Sequence, residues 1–160
     1  MKKTKAITEL ENRGTEFSVH EININGFVSG SKLARDGGQD PAEVFKTLVL
    51  ESTDKKHFVC LIPVDEKLDF KKAAKLFKVK KLSMLPLDKL EALTGYIHGG
   101  CSPVAMKTQM PTIIDVSALQ HDHIYISAGK AGMEIVIGAA HLAEVISADI
   151  ADVCKSSVAV

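Results

Sequence analysis

Two apolar, β-favouring runs separated by a short polar turn constrain this chain more than any other feature. Thr47 to Ser52 and Phe58 to Pro63 are joined through the turn STDKKH. Runs of this length, rich in Val, Leu, Ile and Phe and bounded by turn residues, pair as an antiparallel hairpin. Around them, short helical and strand-like segments alternate without an internal repeat, a low-complexity stretch or a linker. Thr4 to Arg13 has helical character and stops at Gly14, a residue suited to a C-cap, after which Phe17, Val19 and Glu21 begin a strand. Residues 23–30 lack a helical period and read as a loop over a pocket, followed by a short helix around Ser31 to Arg35. Asp69 caps a helix whose apolar positions Phe70, Ala73, Ala74 and Phe77 follow the i, i+3, i+4, i+7 rule. Leu87 to Leu93 reads as another helix, stopped by Gly95. Strands follow at Thr112 to Val116, His123 to Ala128 and Glu134 to Ile137, then a helix near Ala139 to Val145. Hairpins and meanders outnumber βαβ units. The expected class is therefore α+β, with a mixed, mostly antiparallel sheet.

A chain of 160 residues buries enough surface for one core without metal or disulfide staples. Residues 1–155 are expected to form a single domain, with 156–160 a frayed tail. No apolar run is long enough to cross a bilayer and no hydrophobic leader follows the Lys-rich start, so the cytoplasm is the expected compartment. Cys60, Cys101 and Cys154 are odd in number and widely spaced, and read as reduced thiols. Cys60, within HFVCLIP, reads as a small core residue.

Two distant segments carry the chemistry. In DPAEVFKTL, Asp40 to Leu48, Asp40 can cap a helix opened by Pro41, with Glu43 reaching back to complete a capping box. Lys46 then falls near the end of that helix, just before the strand run. In GGCSP, Gly99 to Pro103, the glycines let backbone approach a ligand and Pro103 stiffens the exit. Nothing in the sequence supplies an HExxH, a Cys/His cluster, a GxGxxG fingerprint or a GxSxG elbow. No metal or other cofactor is called for. Ser102, Asp115 and His98 form a triad only on paper, and His121 and His123, beside Asp122, read as a turn entering a strand.

Together with TIID (Thr112–Asp115) and SAGKAG (Ser127–Gly132), these segments resemble the YbaK family of aminoacyl-tRNA deacylases over nearly the whole chain. That family is marked by a VxKTL-like segment with an essential lysine and by a GxxxP loop, here Val44, Lys46, Thr47 and Leu48, and Gly99 with Pro103. The resemblance implies a sheet curled into a partly closed barrel with helices outside. It implies a trans-acting deacylase for cysteinyl-tRNA of proline, and also for cysteinyl-tRNA of cysteine, working on the acceptor end of the mischarged tRNA beside prolyl-tRNA synthetase. The substrate's own thiol attacks the ester, so the enzyme needs no nucleophile. Lys46 is then the essential residue, and the amides of Gly99, Gly100 and Cys101 are candidate oxyanion donors. Substrate contacts are expected from Phe27, Thr47, Ser102, Pro103, Ser127, Gly129 and Glu134, the last standing where close relatives carry aspartate.

Two other readings stay open. One is a deacylase of alanyl-tRNA of proline using water; the other is a non-catalytic module that binds tRNA or a synthetase. Overall charge is balanced, at 20 basic and 20 acidic residues, yet Lys67 to Lys81 holds Lys67, Lys71, Lys72, Lys75, Lys78, Lys80 and Lys81 against one acid, Asp69. Such a run is either a solvated helix face or a phosphate contact surface, with Lys71, Lys72, Lys75 and Lys78 the contact candidates.

Overall fold

The computed structural model describes residues 3–22 and 39–156. The expected loop at 23–30 with Phe27, the helix around Ser31 to Arg35 and the tail beyond 156 lie outside them. The hairpin forms as the sequence requires: β2 (Phe45–Ser52) and β3 (His57–Pro63) pair antiparallel from Phe45↔Pro63 to Glu51↔His57. It sits inside a five-stranded sheet of order β4-β2-β3-β5-β8, where β4 is Leu82–Met84, β5 Thr112–Asp115 and β8 Asp149–Ala151. The contacts of β3 with β5 and of β5 with β8 are parallel; β4 joins β2 antiparallel. A second, three-stranded antiparallel sheet has the order β1-β7-β6, with β1 Ser18–Glu21, β6 Ile124–Lys130 and β7 Met133–Ile137. Among the described residues the backbones of the two sheets pair through one parallel bridge, Val44 to Tyr125, and the sheets do not close into a barrel. This is the mixed, mostly antiparallel α+β class expected. β4 and β8 escape sequence reading because three residues cannot display a period.

Strand alternation divides the interior into two cores. One face of the five-stranded sheet sends Phe45, Val49, Val59, Leu61 and Ile114 toward Ile124, Ile126, Ile135 and Ile137 of the three-stranded sheet. Helix α1 (Lys5–Asn12) seals this layer with Ala6, Ile7 and Leu10. The other face sends Leu50, Phe58, Cys60, Ile62 and Ile113 against α2 (Phe70–Phe77), through Ala73 and Ala74. Because β3 is covered on both faces, HFVCLIP is almost continuously apolar, and Cys60 is fully buried with its thiol pushed up to about 12 by that burial.

Local signals set the helix ends. Thr4 caps α1 by accepting from the Ile7 amide, and Gly14, at φ +66°, completes a Schellman exit in which the Thr15 amide reaches the Leu10 carbonyl. Asp69 caps α2 by accepting from the Lys71 and Lys72 amides at 3.0 and 3.1 Å. The helix expected from Leu87 begins as a single 3-10 turn, becomes α3 (Leu90–Thr94) and ends at Gly95 in the left-handed region. Helix α4 is Ala139–Ile146. None of these is long and apolar enough to cross a membrane.

Asp115, at the end of β5, is 3 % exposed and ties three segments together. Its carboxylate accepts from the Ser117 amide and hydroxyl and from the Val153 amide. Burial alone would raise this carboxyl, but those donors outweigh it and hold it below the usual carboxylate range. A depressed native pKa contributes stability above the unfolded pKa and loses it as pH falls through the native one. Asp115→Asn is expected to cost about 2 kcal/mol at neutral pH. In urea titrations from pH 7 to pH 2, the wild type's advantage should shrink as the medium becomes acid.

Candidate functional site

The free edge of β2 makes the floor of the site. β3 pairs one edge along its length, whereas on the other edge β4 covers only Leu50 to Ser52 and Tyr125 bridges only Val44. The residues between line a cleft of about 440 Å³, together with β4, the loop after α3, and the β6–β7 hairpin. A second depression of about 410 Å³, beside Lys72, Asp115 and Asp152, contains neither Lys46 nor any residue of the glycine loop.

The expected helix before Lys46 is cut to one 3-10 turn, Pro41–Glu43. Asp40 does cap it, accepting from the Ala42 amide at 3.0 Å, but Glu43 turns to His121 at 3.9 Å instead of completing a capping box. Val44, Phe45 and Thr47 are β-favouring residues and draw the chain into the sheet at once. Lys46 is therefore the second residue of β2, not a helix end. Its half-buried ammonium donates to the Val64 carbonyl at 3.3 Å. Burial lowers its pKa, opposed in part by Asp65. Next to it, the Thr47 hydroxyl is sealed from solvent and has no hydrogen-bond partner among the described residues.

The glycine loop borders the same cleft as Lys46. His98, Gly99 and Cys101 line the cleft, with Gly99 at φ +88°. Gly100 is spent on packing: its amide donates to the Ile97 carbonyl at 3.0 Å, and a Cβ there would lie 3.2 Å from Lys130 Cα. Ser102 is fully buried and accepts from the Val104 amide, and Pro103 is buried beside it. The paper triad does not assemble, since Ser102 is enclosed and Asp115 is committed to Ser117 and Val153. Burial raises the Cys101 thiol to about 11, so it is protonated at neutral pH and a poor nucleophile.

The third wall is the β6–β7 hairpin. Ser127, Lys130, Gly132, Met133 and Glu134 line the cleft. A bulge between Ser127 and Lys130 is turned by Gly129, whose amide donates to the Ser127 hydroxyl at 3.1 Å. At φ +100° and with Tyr96 where a Cβ would stand, 2.7 Å from the ring, Gly129 fits nothing larger. Tyr96 in turn donates its hydroxyl to the Val104 carbonyl. On β7, the Glu134 carboxylate accepts from Gln39 Nε2 at 2.6 Å and lies 3.3 Å from His20 Nδ1 on β1.

Of the residues expected at the site, the cleft gathers Lys46, Thr47, Gly99, Cys101, Ser127 and Glu134; Gly100, Ser102, Pro103 and Gly129 support it from behind. Phe27 lies outside the described residues. Helix α2, with its lysines, packs on the face of the five-stranded sheet turned away from the three-stranded one. Lys71, Lys75 and Lys78 are exposed there, but Lys72 is held by Asp152 at 3.0 Å and by the Cys154 carbonyl at 2.8 Å. Sequence reasoning missed the apolar lining from Met84, Leu85, Leu87 and Leu90, which gives no signal until β4 folds beside β2.

Fold and cleft define an α+β protein in which a lysine, a carboxylate and a glycine loop line one cleft. The model of the aminoacyl-tRNA editing domain matches residues 28–145, and the chain belongs to that family. It is 40 % identical over 134 residues, 83 % of this chain and 82 % of the relative, to EbsC of Enterococcus faecalis, which bears the name of a Cys-tRNA(Pro)/Cys-tRNA(Cys) deacylase. A crystal structure described as a trans-editing enzyme for prolyl-tRNA synthetase superposes with a TM-score of 0.82 at 23 % identity, covering 93 % of this chain and 94 % of that one. The hypothetical protein APE2540 gives 0.82 at 23 % identity, over 91 % and 96 %. These two establish the fold.

Two substitutions test the packing of the site. Thr47→Val removes an unpaired buried hydroxyl at constant shape and should stabilise the protein by about 1 kcal/mol in urea unfolding. Gly129→Ala should destabilise it by about 2 kcal/mol or more, because it combines a positive φ with a clash against Tyr96. Tyr96→Phe, which keeps the ring, should not relieve that loss.

Proposed function

We propose that this chain is a trans-editing deacylase that removes cysteine from mischarged tRNA of proline, and from cysteinyl-tRNA of cysteine, beside prolyl-tRNA synthetase. The observation that carries this reading is a cleft lined by both Lys46 and the glycine loop, in which the loop's own nucleophiles, Cys101 and Ser102, are respectively protonated and enclosed. A site so built suits a substrate that brings its own nucleophile. Held close to the ester, the cysteinyl sulfur attacks the carbonyl carbon. The thiol proton passes to solvent. Collapse of the tetrahedral intermediate breaks the bond to the ribose oxygen, which takes up a proton and leaves as the tRNA hydroxyl, and the amino acid departs as a cyclic thiolactone. Lys46 brings positive charge to the ester end of the ligand. The Gly99 and Cys101 amides stabilise the oxyanion, and Glu134 faces the substrate's ammonium group. Thr47 and Ser127 border the same ligand. The exposed Lys71, Lys75 and Lys78 contact phosphates of the acceptor stem.

The test is hydrolysis of cysteinyl-, alanyl- and prolyl-tRNA of proline without added metal. The cysteinyl ester should be lost selectively, and Lys46→Ala should slow this by about 100-fold or more. Preferred cleavage of the alanyl ester would assign a water-using enzyme instead. Intact esters throughout, with and without prolyl-tRNA synthetase, would overturn the reading.

A further inference from the structure

We infer that Lys5 and Lys107, which stand together outside the cleft, bind the sugar-phosphate backbone of the tRNA where its acceptor end leaves the site. This rests on the deacylase reading and adds to it an anchoring surface away from the reacting group.

The fold brings these two lysines together from distant parts of the chain. Lys5 opens α1, and Lys107 follows the glycine loop, its amide donating to the Thr94 carbonyl at 2.9 Å. Both converge on Gly95, the left-handed residue that ends α3: a Cβ built there would lie 3.2 Å from Lys5 Nζ and 3.7 Å from Lys107 Cβ. The Lys5 ammonium also stands 5.9 Å from the centre of the Tyr96 ring, within cation–π range. The edge of that ring fills the space beside Gly129 in the hairpin wall of the cleft. The pair is thus one side chain away from the site.

Nothing on the protein neutralises them. Both side chains are exposed, and neither takes part in an ion pair among the described residues. The two acids of α1 are already engaged, Glu9 with Arg13 at 3.2 Å and Glu11 with Lys3 at 3.0 Å. Thr94 to Met110 contains no acid, and neither does the hairpin stretch Ser127 to Met133. Two cations held side by side repel one another, and an anion from outside relieves that repulsion.

The other elements around the cleft are charged differently. The turn Leu87–Lys89 and the first turn of α3 expose Asp88 and Glu91 against one cation, Lys89. An ester seated in the cleft is attached to a polyanion, which must pass over some part of the rim. Electrostatics favours the part that offers cations and no acids. Lysine suits that task, because a compact charge on a flexible stem can follow a phosphate without a fixed geometry.

The probe is uncharged tRNA of proline, its binding to the full chain followed by fluorescence anisotropy across a range of salt concentrations. The double variant Lys5→Gln, Lys107→Gln should bind about 10-fold more weakly, and the slope of log Kd against log salt should fall by about 1.5, as expected for two lost phosphate contacts. Lys5→Arg with Lys107→Arg keeps both charges and should bind as the wild type does. With cysteinyl-tRNA, the Gln variant should raise KM and change kcat less than about 2-fold. With cysteinyl-adenosine, an ester that carries no phosphate, it should match the wild type. Unchanged melting temperatures would confirm intact folding. A wild-type salt slope in the Gln variant, with the loss appearing instead in Lys71→Gln, Lys75→Gln, Lys78→Gln, would overturn the proposal and leave the deacylase reading standing. Equal losses on cysteinyl-tRNA and cysteinyl-adenosine would overturn it too, since the two lysines would then act on the ester. Binding of tRNA through this pair by a protein that cleaves no ester would preserve the surface and sink the deacylase.

Discussion

The ladder between β2 and β3 is the constraint on which the rest of the structure depends. It places Phe45 and Val49 in the core between the sheets, and Leu50, with its neighbours from β3, in the core beneath α2. A slip of one residue would exchange these faces and carry Lys46 from one side of the sheet to the other. Burial of both faces of β3 forbids that slip. The position of a single ammonium group is thus fixed by apolar packing that never touches it. The same ladder satisfies only one edge of β2, and the short reach of β4 leaves the other edge free to become a floor.

The chemistry of the cleft follows from how each polar group is held. Lys46 keeps a carbonyl partner in Val64 while partly withdrawn from water, so its charge acts through a medium that screens it less than solvent does. Cys101 shows the opposite effect of burial, which keeps a thiol neutral and chemically quiet. Glu134 is oriented by Gln39 and His20 from outside the cleft. Rigid supports of this kind are what the proposed mode of action, by placement and charge in place of a reactive side chain, requires.

Much of this architecture was legible in the sequence because its signals are local. Asp69 before Phe70, Gly95 after Thr94, and the two runs flanking STDKKH each specify their structure within a few residues. Lys46 lines the cleft but was not legible as a strand residue: the cap at Asp40 and Pro41 announces a helix, and only the tertiary pull of Val44 and Phe45 into the core cuts it to one turn. The apolar lining was invisible for a different reason. Leu87 and Met84 look like ordinary core residues until the fold leaves them uncovered. Nor could the sequence separate Gly99, which borders the cleft, from Gly100, which packs behind it, since the distinction rests on the Lys130 backbone arriving from a distant hairpin.

The contact between Gly129 and Tyr96 has a bearing on how such a chain can vary. The tyrosine ring occupies the space of the missing Cβ while its hydroxyl grips the Val104 carbonyl, so the hairpin and the glycine loop are joined through one buried side chain. Neither position can drift alone. A side chain at 129 would need a smaller residue at 96, and a smaller residue at 96 would release Val104 and with it the exit of the loop. Divergent members of the family should therefore change these two positions as a pair, or keep both, and a domain assembled from the hairpin of one relative and the loop of another should fold only where the pair is matched.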